Sequence, residues 1–235
     1  MAALSTTSRR HRHQRARVHL VPIMLGGFLA LPAIALVAYL LWPTWATRNI
    51  DLPGRLPVSI GDTIFNVPTA AIRMNIQRHS GPQERVDLSF VYPSLEPPEA
   101  PRHVTADTAD QAIQPIDRLF LSIAAHNDAL SPENLVRTIY PRYLEQATPL
   151  PADGLSRRAF RTDTPYSNED LFSAETPALV ARCTRDAATP GTCLSERRIG
   201  GADLTFRFPR SWLAQWRDVA TAMDTVTAQL RGPKN

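Results

Sequence analysis

The sequence predicts an α+β protein with one N-terminal transmembrane helix, followed by an extracytoplasmic domain with a mainly antiparallel sheet and two helices, at about 132–144 and 210–230. Three observations lead to this fold class. Residues 18–42 contain no Asp, Glu, Lys or Arg. Most of the later apolar segments alternate with period two, as half-buried strands do. Two other segments have helix start signals or helical spacing of their apolar residues.

The apolar run 18–42 is long enough to cross a bilayer. Its 25 residues would form a helix of roughly 37 Å, against a hydrocarbon core of about 30 Å. The arginines that precede it place residues 1–17 in the cytoplasm as a basic tail and the rest of the chain outside; they are Arg9, Arg10, Arg12, Arg15 and Arg17. We therefore expect a bacterial inner-membrane protein with a periplasmic domain over residues 48–235.

Three other interpretations of the N-terminus compete with an uncleaved signal-anchor. A cleaved signal peptide has a shorter apolar region, of about 7–15 residues. Ser8-Arg9-Arg10 is similar to a twin-arginine signal, but His11-Arg12-His13 places further charge where that signal turns apolar. An arginine-rich segment without acidic residues is also typical of organelle transit peptides. The length of the apolar run favours the anchor.

The charge balance argues against a nucleic-acid-binding domain. The chain has 26 basic and 22 acidic residues. Five of the basic residues precede the predicted span and all acidic residues follow it, which leaves 21 basic and 22 acidic residues in 48–235. Because the outer domain is close to neutral, the basic character of the chain belongs to its N-terminal tail, and no nucleic-acid partner is expected.

Within the outer domain, alternating apolar residues predict several strands. The clearest lie at 86–92, 116–126, 155–161, 178–184 and on both sides of Gly200-Gly201. The Pro-rich segment 93–115 predicts a long exposed loop, at which the outer part could divide into two domains.

The two helices are predicted from different signals. Ser131 is a suitable N-cap, with Pro132 at the first helical position and an apolar face that follows it: Leu135, Val136, Ile139 and Tyr143. The C-terminal helix has an apolar seam at steps of four and three: Trp212, Trp216, Val219, Met223, Val226 and Leu230. We expect this seam to pack on the sheet. The alternative is an interface with a partner or with a second copy of the chain.

The two cysteines, Cys183 and Cys193, are expected to form a structural disulfide. They stand ten residues apart at the two ends of a predicted hairpin loop, in a domain expected to lie in an oxidising compartment. A metal site would need more ligands than two thiols, and no histidine is near in sequence. We predict no metal site and no cofactor.

Catalytic motifs are not found in the sequence. The outer histidines His79, His103 and His126 lie on separate segments, and there is no nucleophile elbow, phosphate-binding loop or dinucleotide fingerprint. The densest polar stretch is 156–172, which predicts a surface for an anionic ligand or a peptide, or else a hydrated edge. Its candidate residues are Arg157, Arg158, Arg161, Tyr166, Glu169 and Asp170.

The sequence therefore predicts a single-pass, membrane-anchored envelope protein that lies in the bilayer through residues 18–42. Its outer domain is expected to bind another envelope or membrane protein, or to assist a membrane complex, without catalysis. The alternative is an anchored periplasmic enzyme or small-ligand sensor whose pocket is assembled by the fold.

Overall fold

A computed structural model describes residues 31, 32, 34, 36, 37, 53–99, 117–126, 128–146 and 150–231. The chain divides into two compact units, Met1–Asp51 and Leu52–Asn235. In the first unit the described residues are helical and exposed. Among all described residues, no helix is both long and apolar enough to cross a membrane. Most of the predicted span 18–42, like most of the predicted loop 93–115, lies outside the described residues.

The second unit contains two sheets. The smaller has the order β2-β1-β3, with β1 antiparallel to β2 and parallel to β3. Its strands are β1 (Arg55–Ile60), β2 (Thr63–Pro68) and β3 (Gly81–Pro82).

The larger sheet has eight antiparallel strands in the order β4-β5-β11-β10-β9-β8-β7-β6. The strands are β4 (Arg85–Val91), β5 (Arg118–Ala125), β6 (Leu150–Ala152), β7 (Leu155–Ala159), β8 (Glu169–Ala174), β9 (Leu179–Thr184), β10 (Thr192–Ile199) and β11 (Ala202–Pro209). The mainly antiparallel sheet predicted from period-two patterning is confirmed.

Both predicted helices are present. The first, α1, covers 132–143 as an α-helical turn (Pro132–Asn134), a π-helical turn (Leu135–Ile139) and a second α-helical turn (Tyr140–Tyr143). The Ser131 side chain accepts a hydrogen bond from the Asn134 N–H at 3.2 Å, which confirms the predicted N-cap. The second, α2 (Trp216–Arg231), follows β11 through a 3-10 segment, Arg210–Gln215.

The main core lies on the face of the large sheet that α2 covers. Alternate residues of a strand point to opposite faces, and here Leu204, Phe206 and Phe208 of β11 point into this core with residues of the small sheet. The α2 seam is buried there as well, through Trp216, Val219, Met223, Val226 and Leu230. Trp212, in the preceding 3-10 segment, is half-buried and stacks on Tyr92 with ring centroids 4.2 Å apart.

A smaller core lies on the opposite face, beneath α1, and its buried residues are Tyr140, Leu144, Phe160 and Leu171. The residues predicted to form the apolar face of α1 (Leu135, Val136, Ile139 and Tyr143) are half-buried against this cluster, and the deeply buried aromatic residue of α1 is Tyr140. The π-helical turn explains why Tyr140 is the most deeply buried aromatic residue of α1. Its extra residue rotates the residues that follow it about the helix axis.

The two sheets meet at their turns. Gly61, in the β1–β2 turn, has a φ of 60°. A Cβ atom placed on Gly61 would lie 2.5 Å from the Gly201 carbonyl oxygen in the β10–β11 turn. The Gly201 N–H donates to the Thr63 hydroxyl at 3.1 Å. The absence of a side chain at Gly61 therefore allows the small sheet to dock on the large one.

Candidate functional site

The candidate site arises where β9 and β10 stop pairing. All six residues of β9 pair with β8, and all eight residues of β10 pair with β11. Between β9 and β10 the register contains two residue pairs, Cys183 with Cys193 and Arg182 with Leu194. Beyond Leu194 the two strands therefore part, although both continue.

The disulfide stands at the paired end of these strands. Cys183 and Cys193 are bonded, with their Cα atoms 4.0 Å apart, and both are buried. The predicted structural disulfide is confirmed. Since the two residues are direct partners across the strands, the bond holds the strands together immediately before they separate.

Main-chain groups face the gap between the strands. In an antiparallel ladder the N–H and C=O of alternate residues point to the same neighbour. The Thr192 N–H donates to the Thr184 hydroxyl at 2.8 Å, so the even-numbered residues of β10 face β9. By the same alternation, the N–H and C=O groups of Glu196 on β10 and of Val180 on β9 point into the gap. The Arg198 N–H also faces this side and reaches a Glu133 carboxylate oxygen at 3.5 Å.

The gap opens into a cleft of about 520 Å³, which we call the β9–β10 cleft. Its walls come from the start of α1, the β8–β9 turn, the diverging strands and α2. Ala174, Leu179 and Val180 give it apolar surface, while Glu196, Arg197 and Arg198 bring charges. No histidine or cysteine lines this cleft, and the described residues contain no group of three or more His, Cys, Asp or Glu that could hold a metal.

Glu196 is a charged residue of the cleft whose carboxylate lacks a partner in the described part of the chain. Arg197 pairs with Asp224, and Arg198 binds Asp203 through Nε at 2.6 Å and Nη2 at 2.9 Å. Among the described residues, no ion pair or hydrogen bond to the half-buried Glu196 carboxylate is present. The Glu196 charge acts on Tyr140. Burial is the main cause of the raised pKa of Tyr140; Arg182 lowers this pKa, and the negative charge of Glu196 raises it further.

The predicted polar surface is divided between two faces of the sheet. Arg157 and Asp170 lie together on the α2 face, where Asp170 is completely buried. The Asp170 carboxylate accepts hydrogen bonds from Arg157 Nε at 3.0 Å, Arg185 Nε at 3.0 Å and Arg210 Nη2 at 2.6 Å. Desolvation alone would raise the pKa of Asp170, but the hydrogen bonds from Arg210 and Arg185 and the charge of Arg157 outweigh it, so the pKa is lowered.

The other predicted residues lie apart from Asp170. Glu169 pairs with Arg182 at 3.2 Å on the α1 face. Tyr166 packs against the smaller core, with the Arg182 guanidinium carbon 4.7 Å from its ring centroid. The Arg158 Nη2 reaches the Glu145 carbonyl oxygen at 3.5 Å, and Arg161 pairs with Asp163 at 3.2 Å in an exposed position. The predicted set thus contributes to internal contacts on both faces, and none of its members lines the β9–β10 cleft.

Comparison with known proteins gives a fold relationship. No family model and no curated protein matches the chain. The solved structure of Smlt3025, an immunity protein of the Stenotrophomonas maltophilia type IV secretion system, is similar with a TM-score of 0.50 at 15% identity, over 75% of this chain and 93% of that chain. The Neisseria meningitidis iron-regulated outer membrane lipoprotein FrpD gives a TM-score of 0.40 at 10% identity, over 74% and 92%. The likeness to Smlt3025 is one of fold.

Proposed function

We propose that this chain is a membrane-anchored envelope protein whose outer domain binds a protein partner, without catalysis, and that the β9–β10 cleft receives an extended segment of that partner. The observation that carries the proposal is the early end of pairing between two strands that both continue. Free strand edges bind extended peptides through main-chain hydrogen bonds, and neighbouring pockets take alternate side chains.

The lining of the cleft defines the chemistry of the segment. Val180 on the α1 face and Leu179 on the α2 face offer apolar contacts for side chains of an extended peptide. Glu196 presents a half-buried carboxylate without an ion-pair partner in the described part of the chain. Because burying an unpaired charge costs free energy, a lysine or arginine of the partner is the complementary group. We expect an extended segment in which apolar residues alternate with at least one basic residue.

The fold supports a binding role in the envelope. The related fold of Smlt3025 belongs to an immunity protein of a type IV secretion system. The disulfide is consistent with an oxidising compartment. We propose that residues 18–42 span the inner membrane, with residues 1–17 in the cytoplasm and 48–235 in the periplasm, because five arginines precede the apolar run.

Two measurements test this topology. Alkaline phosphatase fused after Leu230 should be active, whereas a reporter that folds only in the cytoplasm should be inactive at the same position. The N-terminus of the protein isolated from membranes should be intact. A mature protein that begins near Thr47 would show cleavage and contradict the anchor.

Site-specific cross-linking tests the binding site. A photo-reactive residue at Ala178, which is exposed and lines the cleft, should cross-link the full chain to a specific protein in the membranes of the source bacterium. The same residue at Ile76, which is 79% exposed but lies away from the cleft, is the control. Glu196→Lys should abolish the Ala178 product, whereas Glu175→Lys in the exposed β8–β9 turn should preserve it. Equal products from Ala178 and Ile76, or a product unaffected by Glu196→Lys, would contradict the proposal.

A further inference from the structure

A second cavity, separate from the β9–β10 cleft, lies beside β4 and β5 and has a volume of about 370 Å³. Its floor is formed by Ser89 and Phe120, which are direct partners across the two strands. Its rim is formed by the segment 70–73 with Arg78, by Pro98 and Glu99, and by Arg118 at the start of β5. We call this cavity the Ser89 pocket.

Ser89 is the unusual residue of the pocket. Its side chain is 2% exposed, and its hydroxyl has no hydrogen-bond partner in the described part of the chain. Buried hydroxyl groups are normally satisfied, because leaving one without a partner costs free energy. A donor that lines a cavity and lacks a partner is available to a ligand.

The arginines around Ser89 make the pocket basic. The Arg73 guanidinium carbon lies 4.7 Å from the centroid of the Phe120 ring, and no ion pair to Arg73 is present among the described residues. Arg118 is 45% exposed and has a distant partner, Asp117, at 3.8 Å. Arg78 is held in place by the Ile72 carbonyl oxygen, which accepts from Nε at 3.2 Å and Nη2 at 3.0 Å.

The charged residues that line the Ser89 pocket favour binding of an anion. Three arginines line the pocket together with a single carboxylate, that of Glu99, which has a contact of its own. The planar guanidinium group matches a carboxylate in geometry and can bind it through two parallel hydrogen bonds. Phe120, Ala70 and Ala71 add apolar surface beside these donors.

We propose that the Ser89 pocket binds an organic carboxylate with a small apolar or aromatic body. In this arrangement the carboxylate is bound by Arg73 and Arg118 and accepts the Ser89 hydroxyl hydrogen, while the apolar body contacts Phe120. This proposal does not depend on peptide binding in the β9–β10 cleft, because the two cavities share no lining residue.

Titration of the full chain in detergent with benzoate tests the proposal. Benzamide, which has the same ring but no charge, and inorganic phosphate, which has the charge but no ring, are the matched probes. We expect benzoate to shift the arginine Nε–Hε signals of Arg73 and Arg118 in NMR spectra, and benzamide and phosphate to bind at least about tenfold more weakly. For benzamide such a ratio corresponds to the loss of one charge-assisted hydrogen bond. For phosphate it corresponds to the loss of the apolar contact with Phe120.

Three variants complete the test. Arg73→Gln should weaken benzoate binding about tenfold or more, whereas Arg137→Gln, an exposed arginine on α1 that bonds to Asn134, should leave it unchanged. Ser89→Ala should weaken benzoate binding without lowering the melting temperature, because its hydroxyl has no partner to lose in the described part of the chain. Binding of benzamide or phosphate as tight as that of benzoate would overturn the proposal, as would benzoate affinities unchanged in Arg73→Gln and Ser89→Ala.

Discussion

Cys193 lies directly opposite Cys183 across β10 and β9, and the pairing of these strands ends one residue pair later. The disulfide therefore fixes the closed end of the β9–β10 cleft. Beyond it, β9 remains attached to β8 and β10 to β11. The cleft is thus a break between two well-paired halves of one sheet, and its closed end is covalently fixed.

Removal of the disulfide should lower stability moderately. The double variant Cys183→Ser/Cys193→Ser should lose about 2–3 kcal/mol of unfolding free energy, because the bond closes a short loop of the unfolded chain. Urea unfolding followed by tryptophan fluorescence measures the loss, and wild-type protein treated with reductant should show the same value. Two thiols open to alkylation in protein isolated without reductant would contradict the disulfide.

The buried carboxylate of Asp170 should be essential to the stability of the outer domain. Asp170→Asn should cost about 2–3 kcal/mol, because it removes the buried charge that binds Arg210, whose side chain is 14% exposed, and two more exposed arginines. Asp163→Asn, which removes an exposed carboxylate paired with Arg161, is the matched control and should cost less than about 1 kcal/mol. Equal unfolding free energies of the two variants would show that the Asp170 cluster is not a stabilising centre.

The pH dependence of stability should reveal the same group. The pKa of Asp170 is lower in the folded protein than in the unfolded chain. The contribution of the Asp170 charge to the free energy of unfolding is therefore complete above the usual aspartate pKa of about 4. It is lost as the pH falls through the pKa that Asp170 has in the folded protein. The difference in stability between wild type and Asp170→Asn should accordingly shrink on acidification.

Glu169 should show the opposite pH dependence of stability to that of Asp170. Burial, opposed in part by Arg182, raises its pKa. The contribution of Glu169 to the free energy of unfolding is therefore greatest below the usual glutamate pKa. It is lost as the pH rises through the pKa that Glu169 has in the folded protein. Relative to Glu169→Gln, wild type should gain stability as the pH falls. Parallel stability curves of wild type and both variants between pH 3 and pH 7 would contradict these assignments.

The close approach of the two turns can be tested at Gly61. Gly61→Ala should destabilise the outer domain by about 2 kcal/mol or more, because it combines a strained backbone conformation with a clash against the Gly201 carbonyl. Gly81 has a φ of 100°, but a Cβ atom placed on it has no neighbouring atom within 4 Å. Gly81→Ala should therefore show the cost of the backbone conformation alone. Gly54→Ala has neither difficulty and should be nearly neutral. Similar melting temperatures for Gly61→Ala and Gly54→Ala would contradict the docking of the small sheet.

The core role of the C-terminal apolar seam predicts different costs at Trp216 of α2 and at Trp212 of the preceding 3-10 segment. Trp216 is 3% exposed, and its indole N–H donates to the Asp153 carbonyl oxygen at 3.2 Å. Trp216→Ala should cost about 3–5 kcal/mol, because it leaves a large cavity. Trp212→Ala should cost less, because Trp212 is half-buried. Normal monomer stability together with lost self-association in Trp216→Ala would instead show that the seam is an interface.

Local patterns were sufficient to predict much of the fold. Ser131 and Pro132 identified the start of α1, because capping depends on residues close in sequence. The spacing from Trp216 to Leu230 identified the buried face of α2. Cys183 and Cys193 identified a covalent contact, since two cysteines allow one pairing within the chain.

The candidate site could not be predicted in this way. The β9–β10 cleft depends on where two strands separate, which is a property of their pairing and not of either segment alone. Glu196 stands in an ordinary alternating strand, and nothing in its sequence neighbourhood marks its carboxylate as unpaired. Asp170 shows the converse: a carboxylate beside arginines was expected at a surface, yet long-range contacts with Arg185 and Arg210 bury it.

The central claim is that the β9–β10 cleft binds an extended segment through strand edges. The most direct test is the affinity of the full chain for a synthetic peptide that spans the partner segment cross-linked from Ala178. We predict that N-methylation at any peptide residue seated between β9 and β10 weakens binding about tenfold or more, because alternate residues donate to the two strand edges. Methylation of residues outside the cleft should have little effect, and Glu196→Gln should weaken binding of the unmodified peptide. Affinity indifferent to the position of N-methylation and unchanged in Glu196→Gln would contradict the claim.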